Sequence, residues 1–283
     1  MSMTLHSPAK INLSLRVLGK RSDGFHAIET RLVKLAFGDE VKVELCGEEK
    51  RDVVFTCSDV TVPADESNLA LRALRAFESR TGRERAWRIH LEKRIPHGAG
   101  LGGGSSNAAT VLHAVNALVG HPLSQTQLLE PGGAARLGCA VFLLESAAAD
   151  GTGRGEIVVP VAFPHELQVV LIKPPFPIPT PWAYQRWAAS KELPEVLYAP
   201  QICPWGEMVN DLERPVFEKH HFLPALKNWL LSQGEVRAAL MSGSGSTMFA
   251  IAQSGVAAGE LAEKARAWCG DTCWIQVTRT QSH

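Results

Sequence analysis

One run of glycines constrains the structure of this chain more than any other stretch. Residues 96–107 read Pro-His-Gly-Ala-Gly-Leu-Gly-Gly-Gly-Ser-Ser-Asn and include five glycines. Glycine adopts backbone angles that other residues avoid, and its N–H group stays accessible. The run has little side-chain chemistry of its own, so it is suited to wrapping its backbone closely around a ligand.

A helix is predicted directly after this run. Ser105, Ser106 and Asn107 are favourable N-cap residues, and Gly120 is a favourable helix end. The apolar residues that recur at helical spacing are Ala108, Val111, Leu112, Val115 and Leu118. Unpaired amides and the positive end of the helix dipole would then point at one place, which suits an anion such as a nucleotide phosphate.

Three other interpretations of the run compete with phosphate binding. A Walker loop requires a lysine after the final glycine, and none follows Gly104. A dinucleotide fingerprint fits Gly98, Gly100 and Gly103 by count, but residues 93–97 separate them from the preceding apolar strand and no repeated βαβ pattern comes before. A flexible surface loop stays open, although N-cap residues and an apolar helix face are not typical of a linker.

The charge balance argues against nucleic acid and membrane surfaces as partners. Lys+Arg 29 and Asp+Glu 29 cancel, whereas binding to either surface usually requires a basic excess. No apolar run approaches the roughly 18 residues of a membrane span, and the polar first ten residues do not read as a signal peptide. We expect a cytoplasmic protein that acts on small molecules, as a monomer or a weak homodimer.

The cysteines predict reduced thiols rather than a zinc site or a disulfide framework. They form no Cys-x-x-Cys pair and mostly lie in apolar or strand-like surroundings. Their positions are Cys46, Cys57, Cys139, Cys203, Cys269 and Cys273.

Periodicity predicts a mixture of strands and helices. A first strand around residues 11–17 places Lys10, Asn12 and Ser14 on one face. Further strands are predicted at 25–35, 41–45, 53–57, 87–91, 167–173 and 274–278. Helices are predicted at 69–81, capped by Ser67 and ended by Gly82, and at 182–190, 208–219, 223–232 and 257–268.

A shift in composition predicts two domains. Residues 131–155 are rich in glycine and alanine, and a proline-rich stretch at 174–179 follows the strand at 167–173. We expect an N-terminal domain over residues 1–160 and a C-terminal domain over residues 161–283.

A second glycine run lies between two apolar segments near the C-terminus. Residues 242–247 read Ser-Gly-Ser-Gly-Ser-Thr. One interpretation is a tight turn between two core strands. The other is that Gly243 and Ser244 face the first glycine run and close a binding site.

These segments resemble the GHMP kinases. The pattern Pro-x-x-x-Gly-Leu-Gly-Gly-Gly-Ser-Ser at 96–106 is similar to the phosphate loop of that family, and residues 242–247 are similar to its C-terminal glycine motif. The resemblance covers nearly the whole chain. It implies a two-domain α+β GHMP kinase fold, with an N-terminal ATP-binding α/β domain and a C-terminal ferredoxin-like α+β domain.

Other segments resemble one branch of the family. They are Ser-Pro-Ala-Lys-Ile-Asn-Leu at 7–13, Arg-Ser-Asp-Gly-Phe-His at 21–26, Pro-Thr-Pro at 179–181 and Asn-Asp-Leu-Glu at 210–213. Members of that branch use ATP to phosphorylate a hydroxyl of 4-diphosphocytidyl-methylerythritol in the non-mevalonate route to isoprenoids. The resemblance therefore implies a small-molecule kinase of isoprenoid synthesis.

The resemblance also implies roles for individual residues. Lys10 would stabilise charge at the acceptor hydroxyl, and Asn12 would bind the substrate. The glycine run would wrap the phosphates of ATP, with Mg²⁺ bridging them. The implied ATP-binding residues are Pro96, Gly98, Gly100, Leu101, Gly102, Gly103, Gly104, Ser105 and Ser106.

Aromatic residues would hold the cytosine of the acceptor. Phe25 would stack on the base where the branch usually has tyrosine, and His26 would form a hydrogen bond to it. Tyr184 would form the other aromatic wall, and Thr180 would contact the methylerythritol end. The implied substrate-binding residues also include Gly243 and Ser244.

One position departs from the family pattern. The family places a catalytic aspartate in Gly-(Ser/Ala)-Asp-Val-Pro-Phe-Phe, whereas residues 138–144 read Gly-Cys-Ala-Val-Phe-Leu-Leu, which is one residue shorter. Ala140 therefore stands where the aspartate is expected. Loss of a general base commonly costs about 10²–10⁴-fold in rate.

Three functional interpretations stay open from the sequence. In the first, the chain is a kinase that relies on Lys10 and Mg²⁺, because phosphoryl transfer depends mainly on positioning and electrostatics. In the second, it binds ATP and the cytidyl ligand with impaired turnover. In the third, it belongs to another GHMP branch, such as homoserine or phosphomevalonate kinase, which Phe25 and His26 disfavour.

Overall fold

Two long antiparallel strands are the base of the first sheet. The computed structural model describes residues 1–47, 52–130 and 139–282. Strand β1 (Ser2–Lys20) pairs with β2 (His26–Gly47) along most of its length. The prediction of separate strands at 25–35 and 41–45 is wrong, because β2 continues through Gly38. A Cβ at Gly38 would lie 2.3 Å from the carbonyl oxygen of Ser7, so glycine lets the two strands stay paired there.

Six further strands complete this sheet in the described residues. They are β3 (Val53–Cys57), β4 (Ala86–Glu92), β5 (Ala148–Thr152), β6 (Ile157–Val161), β8 (Gln201–Cys203) and β9 (Gly206–Asn210). The order is β3-β4-β2-β1-β9-β8, while β5 pairs with β2 and β6. Strands from both sides of residue 160 therefore share one sheet, and the boundary at residue 160 stays a prediction.

Helices α1 (Leu69–Thr81) and α2 (Gly103–Leu118) pack against each other and contribute to the core beside this sheet. The predicted end of α1 is confirmed, since Gly82 takes the left-handed conformation with φ 65°. The predicted Ser67 cap is wrong by one residue. The side chain of Asn68 accepts the hydrogen bond from the Ala70 amide and is the N-cap.

The start of α2 differs from the sequence prediction by several residues. Its N-cap is Gly102 with φ 73°, and Ser105, Ser106 and Asn107 lie inside the first turns. The expected caps are not used because the side chains of Ser106 and Asn107 bond to Ser7 instead. The helix ends at Leu118, and Gly120 follows it with φ 81°, as predicted.

The second sheet has four antiparallel strands. They are β7 (Gln168–Lys173), β10 (Val236–Met241), β11 (Met248–Ala252) and β12 (Trp274–Arg279), in the order β10-β11-β7-β12. The helices of this half are α5 (Thr180–Trp187), α6 (Glu213–Lys219), α7 (Phe222–Leu231) and α8 (Gly255–Cys269). Taking β7 as the first strand, the order is 4-1-3-2, which is the ferredoxin-like arrangement. The predicted α+β class is confirmed.

The helix predicted at 208–219 is only half correct. Met208–Asn210 is part of β9, and α6 begins at Glu213. Pro215 explains the difference, because proline is tolerated in the first turn of a helix but breaks one that has already begun. The shorter helix therefore fits the sequence better than the longer one.

Apolar residues of the two sheets meet in a shared core. Ile11 and Leu35 of the first sheet pack with Leu171, Leu240 and Phe249 of the second, and each is at most 1% exposed. Burying such a side chain contributes about 1.5–3 kcal/mol. The two sheets are thereby fixed relative to each other.

Two short helices, α3 (Gln125–Leu129) and α4 (Ala140–Leu143), lie on either side of residues 131–138, which fall outside the described residues. Gly138, the first residue of the segment that departs from the family pattern, is among them. All six cysteines are free thiols, as predicted. No helix in the described part of the chain is both long and apolar enough to span a membrane.

Candidate active site

The first glycine run is the loop that connects β4 to α2, and we call residues 96–105 the phosphate loop. Three of its glycines have positive φ, namely Gly98 at 65°, Gly100 at 77° and Gly102 at 73°. A Cβ at Gly100 would lie 2.3 Å from the carbonyl oxygen of Ser242. Glycine is therefore required at Gly100 by both its angle and its surroundings.

The second glycine run, residues 242–247, connects β10 to β11 and lies directly on the phosphate loop. We call it the second loop. The Ser242 hydroxyl donates to the Gly100 carbonyl at 3.0 Å, and the Thr247 amide donates to the Ala99 carbonyl at 3.3 Å. The structure thus brings together two segments that are about 140 residues apart in sequence.

A cavity of about 410 Å³ lies along the phosphate loop, and we call it the phosphate cavity. Most of the predicted ATP-binding residues line it: Pro96, Gly98, Gly100, Leu101, Gly102, Gly103, Gly104 and Ser105. Ser106 is not among the lining residues. It is fully buried, and its hydroxyl accepts a hydrogen bond from the Ser7 hydroxyl at 2.9 Å.

Lys10 projects from β1 to the place where the two loops meet. Its amide donates to the Leu101 carbonyl at 2.9 Å. Its Nζ donates to Asn12 Oδ1 and to the Gly100 carbonyl, both at 2.6 Å. Burial lowers the pKa of Lys10 to about 7, because the charged amine loses its hydration.

Asn12 is held so that its carbonyl oxygen faces Lys10. Its Nδ2 donates to Thr30 Oγ1 at 2.8 Å, and the Thr30 hydroxyl donates to the Ser14 carbonyl at 2.6 Å. This chain fixes which end of the Asn12 amide is the acceptor. The sequence prediction that Lys10 and Asn12 share a face of the strand is confirmed.

A second cavity, of about 570 Å³, lies between the β1–β2 turn, the β5–β6 turn and α5. We call it the aromatic cavity, since Phe25, His26 and Tyr184 all line it. The His26 and Tyr184 rings are stacked with centroids 5.6 Å apart. Phe25 remains 54% exposed, so one of its faces is open to a planar ligand. Burial raises the pKa of Tyr184 to about 12, so its hydroxyl stays neutral.

Thr180 belongs to both cavities. It lines the phosphate cavity and the aromatic cavity, and its hydroxyl lies 2.7 Å from the hydroxyl of Ser244. A ligand that extends from the aromatic cavity can therefore reach the phosphate loop beside Thr180 and Ser244. Gly243 lies beside Lys10, since a Cβ there would be 3.3 Å from Nζ.

The described part of the segment that departs from the family pattern, residues 139–144, contributes buried apolar side chains near Lys10. Ala140 is buried at the first position of α4. Phe142 from the same helix reaches Gly102, where a Cβ would lie 2.8 Å from Phe142 Cζ and 3.0 Å from Lys10 Cγ. Among the described residues, no aspartate or glutamate forms a hydrogen bond or ion pair with Lys10.

Sequence reasoning missed a buried network beneath the phosphate loop. Lys93 Nζ lies 2.5 Å from Asp39 Oδ2, with 6% and 0% of these side chains exposed. Asp39 also accepts hydrogen bonds from the Ile95 amide and from Asn107 Nδ2. Lys93 lines the phosphate cavity, so it adds a positive charge there. Asp39 lies in an alternating strand with no motif around it, so no sequence signal identifies it.

The Asn-Asp-Leu-Glu segment at 210–213 supports the second loop. Asn210 Nδ2 donates to the carbonyls of Met241 and Gly243 at 2.7 and 2.8 Å. Glu213 accepts a hydrogen bond from the Met241 amide and pairs with Lys227. This segment therefore positions the backbone opposite the phosphate loop.

The described residues contain no cluster of three or more His, Cys, Asp or Glu that could hold a metal ion. Mg²⁺ commonly keeps several waters and binds through the phosphates of a nucleotide. The phosphate cavity fits an ion that arrives with a nucleotide, with the Ser105 hydroxyl as a nearby side-chain oxygen.

Comparisons with known proteins agree with this geometry. The model of the GHMP kinases N terminal domain matches residues 68–150, and that of the GHMP kinases C terminal region matches residues 199–271. The 4-diphosphocytidyl-2-C-methyl-D-erythritol kinase of Methylacidiphilum infernorum is 40% identical, over 96% of this chain and 94% of its own. The enzyme of that name from Protochlamydia amoebophila is 40% identical, over 91% of this chain and 87% of its own.

A solved structure shows the same likeness in three dimensions. The crystal structure of a 4-(cytidine 5'-diphospho)-2C-methyl-D-erythritol kinase is 31% identical and superposes with a TM-score of 0.80. The match covers 99% of this chain and 100% of that one.

Proposed function

Because the chain belongs to the GHMP kinases, in the branch of the 4-diphosphocytidyl-2-C-methyl-D-erythritol kinases, we propose that it phosphorylates that cytidyl compound. It transfers the γ-phosphate of ATP to a hydroxyl of the acceptor, in the non-mevalonate pathway of isoprenoid synthesis. The single observation that carries this proposal is the junction at Thr180, where the phosphate cavity meets the aromatic cavity.

The phosphate cavity supports ATP as the donor. The amides of the phosphate loop and the N-terminus of α2 suit the phosphates electrostatically, and Lys93 supplies a positive charge beside them. A Mg²⁺ ion held by the nucleotide phosphates would neutralise charge on the transferred phosphoryl group. The cavity is also lined by Val62, Pro63, Ser67, Asn68 and Leu69, which suit the nucleoside.

The aromatic cavity supports a cytidyl acceptor. Phe25 and Tyr184 offer ring surfaces for stacking on the base, and His26 offers a ring nitrogen for a hydrogen bond. Thr180 and Ser244 orient the sugar alcohol toward the phosphate loop. In this proposal the base lies away from the reacting atoms, so the aromatic cavity serves binding and selection of the acceptor.

Lys10 is the catalytic residue of this proposal. It lies where the phosphate loop and the second loop meet, and an amine there can interact with both the acceptor hydroxyl and the γ-phosphate. Asn12 holds the Lys10 amine in place and contacts the acceptor. Ala140 supplies no proton acceptor, and positioning and electrostatic stabilisation are major contributions to phosphoryl transfer.

Release of ADP tests the proposed function directly. Purified protein with Mg²⁺ and ATP should release ADP only when 4-diphosphocytidyl-2-C-methyl-D-erythritol is added. Homoserine and phosphomevalonate, the acceptors of the alternative branches, should give no release above background. Tight binding of both ligands without ADP release would instead support the binding-homologue interpretation, which finds no support among relatives that are named kinases.

The cellular setting follows from the thiols and the substrates. Six free cysteines suit a reducing compartment, so we place the protein in the cytoplasm. Both substrates are small molecules, and the described residues of one chain form both cavities. We therefore expect a monomer or a weak homodimer to be active.

A further inference from the structure

The hydrogen bonds of Lys10 can all be made by a neutral amine. Its Nζ faces two acceptors, Asn12 Oδ1 and the Gly100 carbonyl oxygen, both at 2.6 Å. A neutral amine has two N–H donors and one lone pair, whereas an ammonium ion has three donors and no lone pair. With both donors used, the lone pair of the neutral form is free to accept a proton.

The described groups around Lys10 provide no negative charge to stabilise an ammonium ion. Strand β2 places Lys34 opposite it in the ladder, and that amine donates to the Leu144 carbonyl. From α4 comes Phe142, and the nearby parts of the two loops consist of glycine, serine and leucine. Lys93 lies next to Gly103 and forms an ion pair with Asp39. The carboxylate of Asp39 is therefore already paired and is not a counter-charge for Lys10.

The sequence adds no carboxylate from the neighbouring segment. Residues 131–138, which precede α4, contain one arginine and no aspartate or glutamate. Burial without a counter-charge lowers the pKa of Lys10 to about 7. A substantial fraction of the protein therefore carries the neutral amine near neutral pH, where a general base is most effective.

We propose that Lys10 itself is the general base of the phosphoryl transfer, in the place of the missing aspartate. This proposal rests on the proposed function, since it requires an alcohol acceptor at the junction of the two loops. The neutral amine takes the proton of the acceptor hydroxyl while the hydroxyl oxygen forms a bond to the γ-phosphorus. The bond from that phosphorus to the β,γ-bridging oxygen breaks, ADP leaves, and the lysine later returns its proton to water.

The proposal predicts how activity depends on pH. The value of kcat/KM for the cytidyl acceptor should rise with pH through a single ionisation near 7 and level off above about pH 8. A lysine that acts only as a cation gives the opposite result, because its activity falls as pH rises through the same range. Either that fall or a flat profile between pH 6 and 9 would overturn the proposal.

Asn12→Asp separates the ionisation of Lys10 from that of ATP. The new carboxylate occupies the position of an oxygen now 2.6 Å from Nζ, so it stabilises the ammonium form. We expect the midpoint of the profile to move upward by about 1–3 pH units. Ionisation of ATP does not respond to this change. An unmoved midpoint, or one moved to lower pH, contradicts the proposal.

Asn228→Asp is the matched control, because Asn228 is exposed on α7 and donates only to the Glu195 carbonyl. Its profile should coincide with that of the parent protein. Lys10→Arg is a second test, since arginine keeps the positive charge but does not deprotonate. It should lose about 10²–10⁴-fold in kcat at every pH while the KM for ATP stays within about threefold. Retained activity in Lys10→Arg would overturn the proposal.

The two levels of inference fail in different ways. If the parent protein releases no ADP with the cytidyl acceptor at any pH, the proposed function fails. If it releases ADP but shows the wrong pH profile, only the role of Lys10 as the base fails.

Discussion

At the scale of single residues, Phe25 is where binding can be separated from chemistry. Its ring is 54% exposed and lines the aromatic cavity, and it is not among the residues that line the phosphate cavity. Phe25→Ala should raise the KM for the cytidyl acceptor by about 10–100-fold, which corresponds to the roughly 1–3 kcal/mol of one base stack. Steady-state kinetics should show kcat within about threefold of the parent. Phe25→Tyr should keep the parental KM, and a large drop in kcat for Phe25→Ala would contradict this assignment.

The ion pair of Lys93 and Asp39 is buried, in contrast to the exposed ring of Phe25. Asp39→Ala removes the partner of a buried cation and should lower the free energy of unfolding by about 3–5 kcal/mol. Glu207→Ala removes the partner of Arg16 at the surface, where both side chains are about 40% exposed, and should cost less than about 1 kcal/mol. Urea denaturation of both variants measures the contrast, and equal losses would contradict it.

The lowered pKa of Lys10 also links stability to pH. Between pH 7 and about 10 the unfolded chain keeps this lysine protonated, while the folded protein releases the proton. The unfolded state then binds more protons, so stability rises with pH in this interval. Lys10→Met should reduce that slope by up to about 1.4 kcal/mol per pH unit, measured by urea denaturation between pH 7 and 9. An unchanged slope would mean that Lys10 ionises normally in the folded state.

Sequence motifs nominated candidate residues that the structure brings close together, whereas residues that act through tertiary packing received no role. Lys10, Asn12 and the phosphate-loop glycines could be proposed because their spacing follows from a strand face and from a backbone that must approach a ligand. Asp39 and Asn210 were not assigned roles, because their effect depends on partners brought close by tertiary packing.

At the scale of elements, the approach of the second loop to the phosphate loop limits what can be substituted. Gly100→Ala places a Cβ against the Ser242 carbonyl at a φ of 77°, so both the strain and the clash act. We expect a loss of about 2 kcal/mol or more in stability and a higher KM for ATP. Gly104→Ala is the control from the same glycine run. Gly104 lies in helix α2, and the new Cβ would lie 3.5 Å from Leu69 Cδ1, which is an ordinary contact distance. It should keep or slightly raise the melting temperature, and equal losses would contradict the explanation.

The boundaries of elements were harder to predict than their existence. The apolar spacing correctly predicted the existence of α2. Its start was not predicted, because the Asn107 side chain, a candidate cap, instead forms hydrogen bonds with Ser7 and Asp39. In the same way, β2 continues through Gly38 because β1 covers it. Local sequence cannot show either partner.

At the scale of the whole molecule, the two cavities should respond to separate ligands. Mg²⁺ with ATP, or cytidine diphosphate as a fragment of the acceptor, at about 100 times Kd should each stabilise the fold by about 2.7 kcal/mol. For a chain of this size that corresponds to a rise of roughly 4–5 °C in melting temperature. In thermal shift assays at the same ligand concentrations, Phe25→Ala should show a cytidine diphosphate effect reduced to about 0.4–1.4 kcal/mol and an unchanged ATP effect. Loss of both would mean that one site serves both ligands.

The pairing of β9 with β1 makes the two halves of the chain mutually dependent. Ser14 and Leu15 of β1 pair with Val209 and Asn210 of β9, and Leu35 of β2 forms an isolated β-bridge with Thr280. A fragment that stops at residue 160 loses β9 and uncovers the β1 edge at Ser14 and Leu15, together with the apolar face of Ile11 and Leu35, which is surface of the kind that recruits other chains into aggregates. Supplying residues 161–283 as a separate polypeptide during refolding should close that edge and rescue the fragment by complementation, so gene splitting at this point would yield partners rather than independent modules.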